Sequence, residues 1–98
     1  MSKPLVYAPD AIIDLEEITD FIALQNPERA LTFVAELEAK AARAAEHPEA
    51  YHLREELAPG LRSTIHKAYV VFFRELEDQV RIVHVVHGRR DFERMTFD

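Results

Sequence analysis

The sequence contains no cysteine, and it contains no apolar run long enough to cross a membrane. The lack of cysteine excludes disulfides, thiolate nucleophiles and thiolate zinc sites, and it agrees with a reducing compartment. The apolar stretches fall far short of the roughly 20 residues of a membrane-spanning helix. Residues 1–10 also lack the apolar segment of a signal peptide. These absences predict a cytoplasmic protein without membrane attachment.

The composition is that of a single globular domain. The chain has 98 residues, of which 48% are apolar. A chain of this size hides roughly 65% of the surface that its unfolded form exposes, which is enough for one core without disulfides or metals. We therefore predict one domain over residues 1–98, and nothing in the sequence requires a cofactor.

Charge is unevenly distributed along the chain. Residues 1–60 contain 12 acidic and 5 basic side chains, a net charge of −7, whereas residues 61–98 contain 6 acidic and 7 basic side chains, a net charge of +1. The acidic part would repel a polyanion, so we predict no direct nucleic-acid binding by the protein alone. A local basic site in the second part remains open.

The start of the sequence predicts a strand followed by a helix. Leu5–Tyr7 is short, apolar and β-prone. From Pro9 onward, apolar residues recur at steps of three and four, which is typical of a helix that buries one face. Ile12 and Phe21 widen this apolar stripe, and carboxylates occupy much of the opposite face.

A second helix is predicted directly after the first. Asn26 suits its N-cap, Pro27 suits its first position, and Pro48 ends it. The apolar stripe of this helix includes Leu31 at its side. Its alanine-rich part, Ala41–Ala45, would let a partner surface approach closely. Because the link is short, the two helices should form an antiparallel hairpin.

The second half of the chain predicts a sheet. Residues 47–60 read as an ordered connection, with a single turn at Tyr51–Leu57. The strand signals that follow are Leu61–His66, Tyr69–Arg74 and Val80–His87. The order β-α-α-β-β-β predicts an α+β fold, with the helical hairpin on one face of a small, mostly antiparallel sheet. The opposite face has no helix to cover it, so we predict an open groove there; the register at the turn Lys67-Ala68, which lacks Gly and Asn, stays open.

The last strand contains two of the five histidines. Strict alternation would place one set of its side chains together on one face of the sheet: Val80, Ile82, His84 and Val86. His84 and His87 differ by three positions, so they point to opposite faces and cannot bind one ion together. With no other histidine spacing typical of a metal site, we predict none.

Directly after this strand come a glycine and two arginines. Gly88 permits backbone angles closed to other residues, or the close approach of another chain. One interpretation of Arg89 and Arg90 is a structural turn, in which an arginine pairs with Asp91 or with a carboxylate of the helices. The other is a binding site for a carboxylate or phosphate, which the planar guanidinium can grip with two hydrogen bonds.

At this point the chain shows a family resemblance. The segment LRSTIHKAYVVFFRELEDQVRIVHVVHGRRD is similar to the C-terminal half of ParE-type toxins of bacterial type II toxin–antitoxin modules. The shared features are Leu-Arg-Ser at residues 61–63, an aromatic strand at Tyr69–Phe73, an acidic turn at Glu75–Asp78 and the ending His-Gly-x-Arg-Asp at residues 87–91. The segment PDAIIDLEEITDFIALQNPERALTFVAEL resembles the family's helical hairpin. The resemblance therefore spans nearly the whole chain and implies the RelE/ParE fold.

The wider superfamily contains two activities. RelE-like members cleave messenger RNA on the ribosome, whereas ParE-like members poison DNA gyrase and have no established catalytic residues. The RelE pattern has lysines in the strand that corresponds to Leu61–His66, an arginine where Val70 stands, and a tyrosine soon after the arginine that corresponds to Arg90; this chain has none of these. RNA cleavage needs a proton acceptor, a proton donor and cations, so the differences favour a ParE-like inhibitor that is not an enzyme. The histidines that could replace the missing groups are His66, His84 and His87, so a ribosome-dependent endoribonuclease remains the alternative.

The resemblance thus implies a toxin of the plasmid-stabilisation type, neutralised by a cognate ParD-like antitoxin and acting on DNA gyrase by binding. A family member without toxicity is a third possibility. An acidic and apolar antitoxin segment should dock on the open sheet face and on Ala41–Ala45, with its carboxylates on the arginines. No catalytic residue, metal or cofactor is predicted. The predicted partner-binding residues are Arg62, His87, Gly88, Arg89 and Arg90, with Arg62 near the others if its strand is adjacent.

Overall fold

The computed structural model describes residues 3–97. The helices are α1 (Pro9–Ala23) and α2 (Pro27–Glu46), and the strands are β1 (Leu5–Tyr7), β2 (His52–Leu53), β3 (Leu61–His66), β4 (Tyr69–Glu75) and β5 (Val80–His87). Short 3₁₀ helices cover Pro48–Ala50 and Phe92–Arg94. None of the helices in the described part of the chain is long and apolar enough to cross a bilayer.

The five strands form one sheet in the order β1-β5-β4-β3-β2. β1 pairs with β5 in parallel, and the other three pairs are antiparallel. The antiparallel strands follow one another through short links, whereas the parallel pair joins the two ends of the chain and needs a long connection. The helical hairpin lies within that connection and packs on the sheet. The predicted α+β fold is confirmed, with β2 as an additional strand.

The helical hairpin forms as the sequence predicts. A proline stands in the first turn of each helix, where its missing N–H costs no hydrogen bond. The Asn26 side chain caps α2, because its Oδ1 accepts a hydrogen bond of 3.0 Å from the backbone N–H of Arg29. Only residues 24–26 separate the helices, so α2 must turn back along α1.

The first core lies between the hairpin and the sheet. The prediction that Ala41–Ala45 offers a docking surface is wrong, because Ala41, Ala44 and Ala45 are all buried in this core. Their small side chains bring α2 close to the sheet of its own chain, so they offer no surface to a partner. The apolar stripes are narrower than predicted, since Ile12, Phe21 and Leu31 are exposed. The buried members of the core are Ala11, Ile18, Phe33, Leu37, Ala41, Ala44, Ala45, Val71, Phe73, Val80, Ile82 and Val85.

A second core covers the opposite face of the sheet. The prediction of an open groove on this face is wrong, because the chain after β5 and the loop before β3 fold over the face. Phe97 is 5% exposed, and its ring packs edge-on against Phe72 with 4.8 Å between the centroids. The Arg74 guanidinium holds this segment in place by donating to the Phe97 carbonyl at 2.6 and 3.2 Å. Two short segments therefore cover the face for which no helix remained.

A β-bulge in β5 changes which of its side chains share a face. The pairing of β4 with β5 shifts by one residue between Phe72 and Phe73. Phe72 lies opposite His84 and Phe73 lies opposite Ile82, so Val83 has no partner in β4 and is the extra residue of the bulge. The prediction that the side chains of β5 alternate strictly between the two faces of the sheet is therefore wrong beyond Ile82. Val85 joins Ile82 in the first core, whereas Val83 joins the second.

The connection before β3 differs from expectation, whereas the hairpin turn forms where the sequence predicts it. In residues 47–60 the sequence predicts one turn, but the structure also forms β2, which pairs with Arg62 and Ser63 of β3. The turn between β3 and β4 consists of two residues, as predicted, and the register runs from Leu61 opposite Arg74 to His66 opposite Tyr69. Lys67 adopts a φ of 55°, which is the left-handed conformation that this turn requires.

Candidate partner-binding site

β3 ends, β4 begins and β5 ends at the same end of the sheet, beside the predicted site. His66 of β3, Tyr69 of β4 and His87 of β5 are paired in register across the sheet. Paired residues on neighbouring strands point to the same face, and the Tyr69 and His87 rings meet edge-on with 5.4 Å between their centroids. The end of β5 is therefore held against a packed aromatic side chain before the turn begins.

The turn after β5 has a defined hydrogen-bonded geometry. The backbone N–H of Arg89 donates to Nδ1 of His87 at 3.1 Å, and the backbone N–H of Arg90 donates to the His87 carbonyl at 3.0 Å. Because Nδ1 accepts, the neutral ring carries its proton on Nε2. His87 thus acts first as a structural anchor for the turn that presents the two arginines.

Gly88 has a more ordinary environment than predicted. Its backbone N–H donates to the Ala68 carbonyl at 2.7 Å, which continues the ladder between β5 and β4. Gly60, not Gly88, is the glycine with a positive φ, at 74°. A Cβ on Gly88 would lie 3.4 Å from the Ala68 oxygen, an ordinary contact distance. Of the two roles that the sequence left open for Gly88, the one that requires special backbone angles is therefore wrong, and the close approach of another chain stays a prediction.

The two arginines are exposed and unengaged. Among residues 3–97, no ion pair within 4.0 Å involves Arg89 or Arg90. The interpretation in which Asp91 pairs with one of them is wrong, since Asp91 pairs with Arg94 at 3.3 Å instead. Two guanidinium groups are therefore free to meet an anionic group of a partner.

A cleft separates the end of β5 from α1. It encloses about 150 Å³ and is open to solvent. Its lining includes a basic residue, Arg90, an acidic residue, Glu17, and the exposed Phe21. The full lining is Asp14, Glu17, Ile18, Phe21, Tyr69, Val85, Val86, His87 and Arg90.

Arg62 lies apart from the other predicted site residues. Its strand is not adjacent to β5, because β4 lies between them. It also stands four residues from the end of β3, about 13 Å along the strand at roughly 3.3 Å per residue. Its guanidinium donates to the Tyr51 carbonyl at 2.8 Å, which holds the connection before β2 against the sheet. The condition for placing Arg62 near the arginine pair is therefore not met.

A further histidine, His66, lies at the same end of the sheet but was not among the predicted site residues. His66 Nε2 lies 2.7 Å from a Glu36 carboxylate oxygen, and the guanidinium of Arg29 binds the same carboxylate at 2.7 and 3.3 Å. The Arg29 hydrogen bond, followed by that of His66, lowers the pKa of Glu36 from 4.5 to about 2. Arg29 and Glu36 are seven residues apart on one helix, so two turns of α2 place them on one face; only the fold brings His66 to them.

A second histidine links distant parts of the chain. His84 Nδ1 lies 2.7 Å from the Asp14 carboxylate, and its Nε2 lies 3.1 Å from the Thr96 carbonyl. The same Asp14 oxygen accepts the backbone N–H of Val85 at 2.9 Å. This network joins α1, β5 and the C-terminal segment. No group of three or more possible metal ligands occurs within residues 3–97.

An apolar groove lies between the two helices near β1. It encloses about 390 Å³, and carboxylates of Glu16 and Glu38 stand in its wall. Burial and the charge of Glu38 raise the pKa of Tyr7 to about 12, so the phenol in this groove stays neutral. No local pattern predicts the groove, because its lining comes from three elements: Tyr7, Ile12, Leu15, Glu16, Thr19, Val34 and Glu38.

With the geometry established, comparison with known proteins identifies the family. The sequence profile of the ParE toxin of the type II toxin–antitoxin system, parDE, matches residues 5–92. The chain belongs to this family. No curated protein sequence matches the chain significantly. The match includes the hairpin, the sheet and the arginine turn, so it confirms the resemblance seen in the sequence.

Three solved structures with this fold come from toxin–antitoxin systems or from a toxin in the free state. The chromosomal ParDE system from P. aeruginosa matches with a TM-score of 0.76 and 20% identity, over 88% of this chain and 96% of that one. The toxin–antitoxin complex RelBE2 from Mycobacterium tuberculosis matches with a TM-score of 0.65 and 23% identity, over 89% and 99%. A double arginine-to-alanine mutant of the E. coli toxin RelE in the free state matches with a TM-score of 0.65 and 17% identity, over 91% and 86%. At these identities the likeness establishes the fold.

Proposed function

We propose that this ParE-family toxin inhibits DNA gyrase by binding it, without covalent chemistry, and that a cognate antitoxin neutralises it in the cytoplasm. The observation that carries the proposal is the pair of unengaged arginines on the hydrogen-bonded turn after β5. A pre-ordered turn with free guanidinium groups suits recognition of a protein carboxylate, because little conformational entropy is lost on binding. The net charge of −6 favours a protein partner over bare DNA.

The state of the histidines supports a toxin that is not an enzyme. His84 is bonded to Asp14 and faces the second core, away from His87. His66 is bonded to Glu36, which is also held by Arg29. A general acid or base must be free to reach its substrate, and these two rings already have partners.

One observation favours the ribonuclease alternative. His66 and His87 flank Tyr69 on a single face of the sheet, which the sequence spacing did not reveal. Two histidines beside an exposed arginine form a set that could move protons at a phosphodiester. Opening the His66–Glu36 contact would be necessary for that chemistry, so we rank it second.

An antitoxin needs a different docking surface from the one that the sequence suggested. The second face of the sheet is covered, and the alanines of α2 are buried. The apolar groove between α1 and α2 is available instead, and it suits an amphipathic helix that places basic side chains beside Glu16 and Glu38. The toxin–antitoxin complex among the matched structures supports such a partner.

The gyrase proposal predicts inhibition that depends on the arginine pair. Purified protein should inhibit the supercoiling of relaxed plasmid by gyrase, or cause cleaved plasmid to accumulate. Arg89→Ala/Arg90→Ala should weaken this effect at least about 10-fold, because a buried arginine–carboxylate pair broken from one side costs roughly 2–5 kcal/mol. Arg94→Ala is the matched control, since Arg94 is 89% exposed and pairs only locally with Asp91.

The same preparation should leave messenger RNA intact in a translating ribosome extract. Cuts at defined codon positions that disappear with His87→Ala or His66→Ala would overturn the gyrase proposal in favour of the ribonuclease. Unchanged inhibition by the double arginine variant would remove the turn from the contact surface.

A further inference from the structure

The side of β5 next to β1 is open near its end. β1 pairs only with Val80–Ile82, and within residues 3–97 no strand continues beyond it on that side. The backbone N–H of Gly88 points to β4, since it donates to Ala68, whereas that of Val85 points the other way and donates to Asp14. Backbone groups alternate in direction along a strand, so the N–H of His87 and the C=O of Val85 also point away from β4.

These two backbone groups lie at the cleft beside α1. The His87 N–H points away from β4, and β1 pairs with β5 only as far as Ile82, so neither neighbouring strand accepts it, whereas the His87 carbonyl accepts from Arg90 in the turn. The cleft of about 150 Å³ has Val85, His87 and Arg90 in its lining. Residues that carry a backbone donor, a backbone acceptor and a cation thus line one small space. Ile18 and the 67% exposed Phe21 supply an apolar wall.

We propose that this cleft, the β5 edge slot, binds an extended peptide segment that carries an acidic residue. The peptide backbone would pair with the C=O of Val85 and the N–H of His87, as a short strand added to the sheet. Its carboxylate would bind Arg90, and a neighbouring apolar side chain would cover Phe21. The volume of about 150 Å³ limits the enclosed part to about one residue. We assign the segment to the antitoxin, so this step rests on the proposed function.

Glu17 sets the specificity of the slot. Its carboxylate shares the cleft with Arg90, but the two do not form an ion pair within 4.0 Å in the described residues. A bound peptide carboxylate would be attracted by Arg90 and repelled by Glu17. The slot therefore favours one acidic residue over a run of them, and Glu17→Gln should tighten binding a few-fold.

The test uses the full chain and a defined probe. Amide chemical shifts of the ¹⁵N-labelled protein are followed during titration with the blocked tetrapeptide acetyl-Val-Glu-Val-Leu-amide and with its glutamine counterpart, to millimolar concentration. We expect the amides of His87 and Arg90 to shift, and the glutamine peptide to bind about 10-fold more weakly. Arg90→Gln should produce the same loss with the glutamate peptide.

A matched pair of variants isolates the backbone donor. His87→Pro removes the N–H that faces the slot and breaks no hydrogen bond to β4. Proline is accepted in a strand at positions whose N–H does not bond to a neighbouring strand. His87→Ala removes the ring and keeps the N–H. Both variants lose the ring that anchors the turn, so the difference between them isolates the N–H. Binding that is much weaker in a folded His87→Pro than in His87→Ala supports the slot, and equal binding by the two folded variants would overturn it; should His87→Pro fail to fold, Arg90→Gln carries the decision.

The outcomes separate this inference from the proposed function. No shift at the amides of His87 and Arg90, or equal affinities for both peptides and for Arg90→Gln, would overturn the slot. If the same protein still inhibits gyrase, the toxin proposal stands without it. Peptide binding by a protein that leaves gyrase untouched supports the slot and overturns the gyrase proposal.

Discussion

At the residue scale, the two glycines differ in what they do for the backbone. Gly60 has a φ of 74°, whereas the φ of Gly88 lies outside the left-handed region. A side chain on Gly60 would therefore be strained by the backbone itself. A Cβ on Gly88 would only touch the Ala68 oxygen at 3.4 Å. The glycine in the family-like ending is thus not required by the fold, which leaves close approach of a partner as its possible role.

This difference predicts that the same substitution costs more stability at Gly60 than at Gly88. Gly88→Ala should change the free energy of unfolding by less than about 1 kcal/mol, because alanine fits the native backbone there. Gly60→Ala, the matched control, should cost about 1–2 kcal/mol, since it forces a Cβ into the left-handed region. Urea denaturation of both variants gives the comparison. A loss in Gly88→Ala as large as that in Gly60→Ala would show that the turn does depend on this glycine.

The histidines show why side-chain roles could not be assigned from sequence. His66, His84 and His87 are all plausible proton carriers by type. In the structure each has a different neighbour: a carboxylate of α2, a carboxylate of α1, and the tyrosine ring of β4. The separation in sequence is 30 residues between Glu36 and His66, 70 between Asp14 and His84, and 18 between Tyr69 and His87.

At the element scale, the hairpin between β3 and β4 contains a local conflict. Lys67 occupies the left-handed conformation without being glycine or asparagine. The hairpin forms nonetheless, because the strands that it joins bury Val70 and Phe72 in the second core and Val71 and Phe73 in the first. Tertiary packing here outweighs weak turn chemistry.

Relieving this conflict should stabilise the protein. Lys67→Gly removes a left-handed strain of about 1–2 kcal/mol and loses about 0.5–1 kcal/mol to chain entropy, for a net gain near 0.5–1 kcal/mol. Ala68→Gly is the control, because it adds chain entropy without relieving strain and should lower stability. Chemical denaturation of both variants measures the effect. A less stable Lys67→Gly protein would mean that the lysine side chain itself contributes to the turn.

At the scale of the whole molecule, Asp14 joins parts of the chain that are far apart in sequence. Its carboxylate accepts the backbone N–H of Val85 at 2.9 Å, beyond the part of β5 that pairs with β1. The same carboxylate lies within hydrogen-bond distance of His84 Nδ1, and the other ring nitrogen of His84 lies near the Thr96 carbonyl. The Asp14 side chain is only 11% exposed, so water replaces these bonds poorly. The helix, the last strand and the C-terminal segment are thus secured through one side chain.

Removing this carboxylate should be costly. Asp14→Ala leaves a backbone N–H and an imidazole nitrogen without their acceptor, and we expect a loss of about 2–4 kcal/mol in the free energy of unfolding. Asp10→Ala is the control on the same helix: Asp10 is 66% exposed and lies 3.8 Å from His84, so its loss should cost less than about 1 kcal/mol. Thermal and urea denaturation provide the measurement. Equal losses in the two variants would contradict the assigned role of Asp14.

Sequence patterns determined the order and nearly all the bounds of the main elements. Helical spacing, the Asn26 cap and the prolines define α1 and α2, and the apolar runs define β3, β4 and β5 to within one residue. These signals are local: each depends on the period of side chains along one segment or on a cap within one turn. The family resemblance agreed with this order of elements and implied a partner-binding role for the arginine turn.

The tertiary structure decided what the local signals could not contain. The bulge at Val83 reverses the alternation in β5 because pairing with a neighbouring strand, not the sequence of β5 alone, sets its register. The cover over the second face, the contact of His66 with Glu36 and the open edge beside Arg90 all depend on segments that meet only after folding. The sequence thus determined which elements form and in what order, whereas the packing of those elements decided which charged and polar groups remain free to meet a partner.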